Sequence, residues 1–140
     1  MSYASATSAA IQGPRTFTSA VVICLTQYFQ FSGRAPRSEY WFFVLFTLLV
    51  DVVAGIIDAA TGSGLLYPIC VLLLLIPSLA VLIRRLHDVD RSGWWCLILF
   101  VPLVGAILVL VWACTRGTPG PNRFGPDPLG GTPDWRAAAA

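Results

Sequence analysis

Residues 65–83 read LLYPICVLLLLIPSLAVLI, nineteen consecutive positions without a charge. As a helix rising about 1.5 Å per residue, the run reaches about 28 Å, close to the hydrocarbon thickness of a bilayer. A surface helix of a soluble protein keeps a polar face for water, and this stretch has none. The fold class that follows is all-α and integral to a membrane. Pro68 lies near the start of the run, where a helix tolerates it, and Pro77 lies inside, where a kink is expected.

On the N-terminal side, Thr61-Gly62-Ser63-Gly64 is a short uncharged turn suited to antiparallel helices. Before it a first span runs from about Tyr40 to Ala60. It opens on Tyr40-Trp41, amphipathic aromatics of the kind found at headgroup level. Asp51 stands near its middle. A central Asp costs about 2.5–3.5 kcal/mol on the insertion scale, and each Leu, Ile, Phe or Val returns about 0.3–0.6. Twelve such residues between Phe42 and Ile57 give roughly 5 kcal/mol in favour of insertion, so the span survives narrowly.

On the C-terminal side, Arg84 to Gly93 is the most polar stretch of the chain, holding Arg84, Arg85, His87, Asp88, Asp90 and Arg91. A third span is expected from Trp94 to Thr115, twenty-two residues without a charge. Trp94-Trp95 and Trp112 read as one aromatic anchor at each interface. Pro102 and Gly105 predict a bend. Three spans make a single membrane domain over 17–128.

The flanks read differently. Residues 1–16 form a small, polar arm. Phe17 to Phe31 is amphipathic, with Phe17, Val21, Leu25, Tyr28 and Phe29 at helical spacing. Interrupted by Gln27 and Gln30, it is too short for a span and suits an interfacial helix. Gly33 and Pro36 end it, and Glu39 sits in the favourable first turn of the next helix. From Gly117 onward ten of twenty-four residues are Gly or Pro, so the end of the chain reads as a flexible tail, extended or disordered with little to pack, turn-rich over 117–128 and disordered over 129–140.

Composition agrees. Hydrophobic residues make up 56% and charged residues 11%, against about 45–50% and about 25% in soluble domains. A net charge of +2 gives no basis for a nucleic-acid partner. All nine basic residues are Arg, whose planar fork suits lipid phosphates, so anionic headgroups are expected at the arginine-rich loops. Four cysteines without CxxC spacing read as small buried hydrophobes. The first ten residues lack the basic n-region of a signal peptide. With three spans, Arg15, Arg34, Arg37, Arg84, Arg85 and Arg91 share one face, and Arg116, Arg123 and Arg136 the other. Six against three predicts a cytoplasmic N-terminus and an outer C-terminus.

Three stretches then stand together: FQFSGRAPRSEYW at 29–41, RLHDVDRSGWW at 85–95 and GTPGPNRFGPDP at 117–128. In this order, separated by apolar spans, they resemble the domain of unknown function 805 family of small bacterial inner-membrane proteins. The likeness covers about Gln27 to Pro128. Its motif positions here are Gly33, Arg34, Arg37, Glu39, Tyr40, Trp41, Asn122, Arg123, Phe124, Gly125, Pro126, Asp127 and Pro128. The resemblance implies residence in the bacterial cytoplasmic membrane and a helical core, and it brings no reaction with it. Asp58 is similar to an acidic position of the family, whereas Asp51 lies outside the pattern.

Asp51 is the sharpest candidate for function, because an intramembrane carboxylate is a functional hypothesis by default. It shares a helical stripe with Thr47, Ala54 or Gly55, and Asp58. A neutral Asp51 hydrogen-bonded within the bundle is the plainer reading, and a proton or cation pathway the sharper one. His87, Asp88 and Asp90, with Glu39 on the same face, lack the spacing of a metal site, and no cofactor is expected. Arg84 and Asp88, four apart, are expected to pair in a charged helix extension that anchors the loop at headgroups. No nucleophile–base pair stands out, so the expectation is a non-enzymatic component that assembles with itself or another membrane protein. The alternative is a small transporter or channel subunit using Asp51 and Asp58.

Overall fold

The computed structural model describes residues 13–130; most of the N-terminal arm and the last ten residues, with Trp135 and Arg136, lie outside it. Four α-helices and one 3-10 helix make up the described chain. Helix α1 (Phe17–Thr26) is capped by Thr16, whose Oγ1 accepts from Ser19 N at 3.3 Å while Ser19 Oγ accepts from Thr16 N at 2.9 Å. It stops five residues before the expected Phe31. Nor does it lie free at an interface: Ala20 and Cys24 are fully buried, and Cys24 joins Ala35, Phe43 and Val81 in the core.

Helices α2 (Arg37–Thr61) and α3 (Leu66–Asp88) form an antiparallel hairpin, and both are long and apolar enough to cross a membrane. Gly62 ends α2 at φ 72°, a left-handed position that glycine fills without strain, and its N–H bonds Asp58 O at 2.8 Å. Pro77 leaves α3 unbroken. A proline has no N–H for the carbonyl four residues back, and that carbonyl, Leu73 O, accepts instead from the Tyr28 hydroxyl.

The third apolar stretch departs from expectation. Among the described residues two helices, not three, are long and apolar enough to span. Residues 93–114 split into a 3-10 helix (Gly93–Phe100) and a short α4 (Val104–Cys114). At about 2.0 Å per residue the first reaches about 16 Å; at about 1.5 Å the second reaches about the same. Neither matches a hydrocarbon core of about 30 Å.

They also return to the end they left. Trp95 and Trp112, read above as opposite anchors, meet with ring centroids 5.6 Å apart, and the Arg91 guanidinium lies over both rings. The segment is a re-entrant hairpin. Pro102 begins the reversal, Leu103 turns it at φ 66°, and Gly105 packs so closely that a Cβ there would lie 1.8 Å from Ile98 O.

The C-terminal stretch therefore sits at the same end as the start of α2, not across from it: Thr118 N bonds Asp88 O at 2.7 Å and Gly13 N bonds Pro128 O at 3.0 Å. The count of six arginines against three dissolves. All eight described arginines lie at this end, and the opposite turn at Gly62–Leu65 holds none.

Candidate functional site

The arginine end is a folded polar cap built from the three motif stretches. Its first knot centres on Glu39. The first turn of α2 points Glu39 inward, 1% exposed, where Arg84 Nη1 meets Oε1 at 2.6 Å and Arg15 Nε meets Oε2 at 3.2 Å. Arg84, on the last turn but one of α3, also donates to Gln27 Oε1 at 2.6 Å. Cys24 Sγ lies 3.8 Å from its Nη2. Burial pushes the Cys24 thiol up to about 12, which keeps it a neutral hydrophobe.

The second knot centres on Asp88 at the end of α3. Arg34 reaches Oδ1 at 2.9 Å and Arg85 reaches Oδ2. Both arginines continue outward to backbone carbonyls. Arg34 donates to Thr118 O at 2.5 Å and Gly120 O at 2.7 Å, stapling the C-terminal stretch to the hairpin. Arg85 donates to Ala113 O and Trp112 O, each at 3.3 Å, and to Thr115 O. A helix ends with carbonyls that lack intrahelical partners and carry partial negative charge. Arg85 satisfies them for α4, assisted by Arg37 on Cys114 O at 3.1 Å and Trp41 Nε1 on Ala113 O at 3.3 Å. These contacts hold the returning arm of the re-entrant hairpin at the arginine end.

His87 closes the cap. Its Nδ1 lies 3.0 Å from Gly33 O, and its ring stacks on Phe124 with centroids 4.0 Å apart. Asn122 Nδ2 donates to His87 O at 2.9 Å. The stretch from Gly117 is thus an ordered clasp. At Gly117 a side chain would meet Asp88 Oδ2 at 2.1 Å, Gly125 holds the tight Asn122–Gly125 turn at φ 137°, and Asp127 accepts from Gly120 N at 3.0 Å and Leu129 N at 2.9 Å. Asp90 and Arg123 pair at 3.2 Å on the surface, where solvent leaves such a pair little energy.

The cap corrects two expectations. Arg84 pairs with Glu39 rather than with Asp88. Arg34, Arg84 and Arg85 are buried among protein acceptors rather than laid on headgroups, because isolated buried charge is expensive and paired, hydrogen-bonded charge is not. His87 and Asp88, weighed above as ligands, face Gly33 and two arginines. Arg15 and Gln27, which no motif marks, complete the Glu39 knot.

Asp51 and Asp58 stand apart from the cap and from each other's role. Asp58 lies at the opposite end, where its carboxylate accepts from Ser63 Oγ at 2.5 Å, Leu66 N at 3.1 Å and Tyr67 N at 2.7 Å. It caps the N-terminus of α3 from the preceding helix. Asp51 is half-buried in mid-α2, and its Oδ1 is buried with no hydrogen-bond partner among the described residues. A groove of about 260 Å³ between α2, α3 and the 3-10 helix runs past Thr47, one turn from Asp51 on the same stripe.

The sequence model of a family described as "Protein of unknown function (DUF805)" matches residues 28–126. That range holds Glu39, Arg84, the whole Asp88 knot and most of the clasp, while Arg15, Gln27 and Asp127 lie outside it. Inner membrane protein YhaH of Escherichia coli (strain K12) is 46% identical over 110 residues, covering 74% of this chain and 91% of that protein. Inner membrane protein YhaI of the same strain is 47% identical over 110 residues, covering 77% and 93%. The uncharacterized protein YiiR is 34% identical over 100 residues, covering 64% and 65%. No solved structure matches the chain.

Proposed function

We propose, from the premise that this chain belongs to the DUF805 family, that it is a non-enzymatic component of the bacterial inner membrane that assembles with further copies of itself through α2. One observation carries the reading: Asp51 Oδ1 is buried without a partner in the middle of a membrane-capable helix. A polar group in hydrocarbon costs several kcal/mol when unsatisfied, roughly, and a neighbouring helix is the nearest source of a partner. The stripe it belongs to suits such a neighbour. Thr47 and Gly55 are half-buried, and a Cβ at Gly55 would meet nothing within 4 Å, so another backbone has room to approach. Glu39, Asp88 and Asp90, the carboxylates nearest the cap's arginines, are each paired with an arginine, which supports a structural rather than a catalytic role for them.

We infer a cytoplasmic arginine end, a reading supported by the eight described arginines that stand there and the absence of any at the Gly62–Leu65 turn. Residues 13–16 and the clasp then share the cytoplasmic side. Reporter fusions at Gly62 and Gly130 should read outside and inside; an outside signal at Gly130 would refute this topology.

Assembly is tested by crosslinking in native membranes. Asp51→Leu should insert at least as well as the wild type yet associate roughly threefold to tenfold more weakly, the range expected for one interhelical hydrogen bond in a membrane. Asp51→Asn should preserve association. If Asp51→Leu leaves association unchanged while Asp51→Asn abolishes a proton or ion flux, the protein is a transporter or channel subunit. Asp58 would remain outside such a pathway, engaged as the cap of α3.

A further inference from the structure

Burial of the cap sorts the arginines into two kinds. Arg34, Arg84 and Arg85 are enclosed and paired with carboxylates. Arg123 is paired with Asp90, and Arg91 lies over Trp95 and Trp112. Arg37 is different. Like Arg116 two residues beyond Cys114, Arg37 is exposed and forms no ion pair among the described residues, and its one hydrogen bond goes to the neutral carbonyl of Cys114 at 3.1 Å. Its near neighbour Glu39 is turned inward to Arg84 and Arg15. An unbalanced positive charge therefore stands at the first residue of α2.

Beside it lies a cavity of about 450 Å³ lined by Arg37, Ser38, Trp41, Phe42 and Cys114, with no carboxylate in its wall. The indole of Trp41 is fixed there by its bond to Ala113 O at 3.3 Å. The apolar wall continues into the exposed Leu45 and Leu49 farther along α2. Pro36 supplies no side-chain cap to this helix, so its first amides add a partial positive charge to that of Arg37. Cation above, apolar wall below, at the level where a membrane passes from headgroup to hydrocarbon: this is the polarity profile of a phospholipid. A zwitterionic lipid brings an ammonium that this charge repels, and an anionic one does not.

We infer that the cleft between the start of α2 and the end of α4 binds an anionic phospholipid of the surrounding bilayer, with Arg37 on its phosphate and Trp41 and Phe42 along its chain. The inference is independent of assembly through Asp51, which lies far along α2 from this cleft.

The test uses the full chain purified in detergent and offered phosphatidylglycerol and phosphatidylethanolamine in equal amounts, with retained lipid counted by native mass spectrometry. The wild type should retain phosphatidylglycerol preferentially. Arg37→Gln should lower that preference about fivefold, the effect of one basic residue near an anionic headgroup. Arg37→Lys should keep most of it. Arg123→Gln, at an exposed position away from the cleft, should leave it unchanged. Helical content and thermal midpoint, measured on each variant, establish that it is folded. The proposal is overturned if folded Arg37→Gln keeps the wild-type preference, or if Arg123→Gln lowers it equally. It also fails if Arg37→Lys loses as much as Arg37→Gln, because Arg37 would then act through its bond to Cys114. Displacement of the lipid by inorganic phosphate alone would remove the role of the apolar wall and overturn it too.

Discussion

Two prolines stand inside apolar runs of similar length, and they have opposite consequences. At Pro77 helix α3 continues; at Pro102 the chain turns back. The difference lies in what each proline leaves behind. Each deprives the carbonyl four residues earlier of its helical donor. Leu73 O is given a new donor by Tyr28, held against α3 from outside the helix. Ile98 O, the corresponding carbonyl before Pro102, instead takes Val101 N at 2.9 Å as the closing bond of the 3-10 helix. Gly105 then folds onto that same carbonyl. A proline in an apolar run is therefore a branch point, and the neighbours decide between a continued helix and a reversal.

The strongest way to break this comparison is to make the reversal impossible. Gly105→Ala places a methyl group 1.8 Å from a backbone oxygen that cannot swing aside. The expected loss is about 3 kcal/mol, the upper end for overpacking, read as the midpoint shift in unfolding by a denaturing detergent. An unshifted midpoint would mean that Gly105 and Ile98 are not in contact. The other half is tested by Tyr28→Phe, which removes the donor from Leu73 O and nothing else. In hydrocarbon no water replaces it, so a loss of about 1–2 kcal/mol is expected in the same measurement. Faster hydrogen exchange should accompany it around Pro77 in α3 and not in α2. Uniform exchange across both helices would show that the Tyr28 hydroxyl does not hold α3 together at Pro77.

Much of this fold was legible in residues 65–83, since nineteen uncharged positions admit few environments. Asp51 was legible as an anomaly for the same reason. The cap was half legible. Its residues could be picked out, but a sequence displays charge and not what charge meets: Glu39 lies 45 positions from Arg84, and Arg34 lies 86 from Gly120. Read as a loop on headgroups, these arginines are the interior of a clasp. The re-entrant hairpin was misread for a more instructive reason. Tryptophans mark an interface but carry no direction, so Trp95 and Trp112 served equally for one surface or for two. Pro102 and Gly105 signalled a bend, while its angle was set by Ile98 O, Arg85, Arg37 and Trp41, none of which a local window includes.

The smallest expected effect has the opposite sign, and it isolates the turn itself. Leu103 sits at φ 66°, ψ −61°, with Val104 N bonded to Pro102 O at 2.8 Å. That geometry is the rarer γ-turn, which a residue with a Cβ adopts only under strain of about 1–3 kcal/mol. Its side chain is 73% exposed, so little packing is lost by removing it. Leu103→Gly relieves the strain and sets against it the larger backbone entropy of glycine in the unfolded chain, about 0.5–1 kcal/mol. With strain at the lower end of that range, the net expectation is a gain of up to about 1 kcal/mol in detergent unfolding. Leu103→Ala, which keeps a Cβ, should give no such gain, and this separates strain from the loss of an exposed leucine. If glycine destabilises as much as alanine, the reversal at Pro102 is unstrained. The turn would then be the local preference of residues 101–104, and the clasp of Arg85, Arg37 and Trp41 on the end of α4 would follow the reversal rather than hold it.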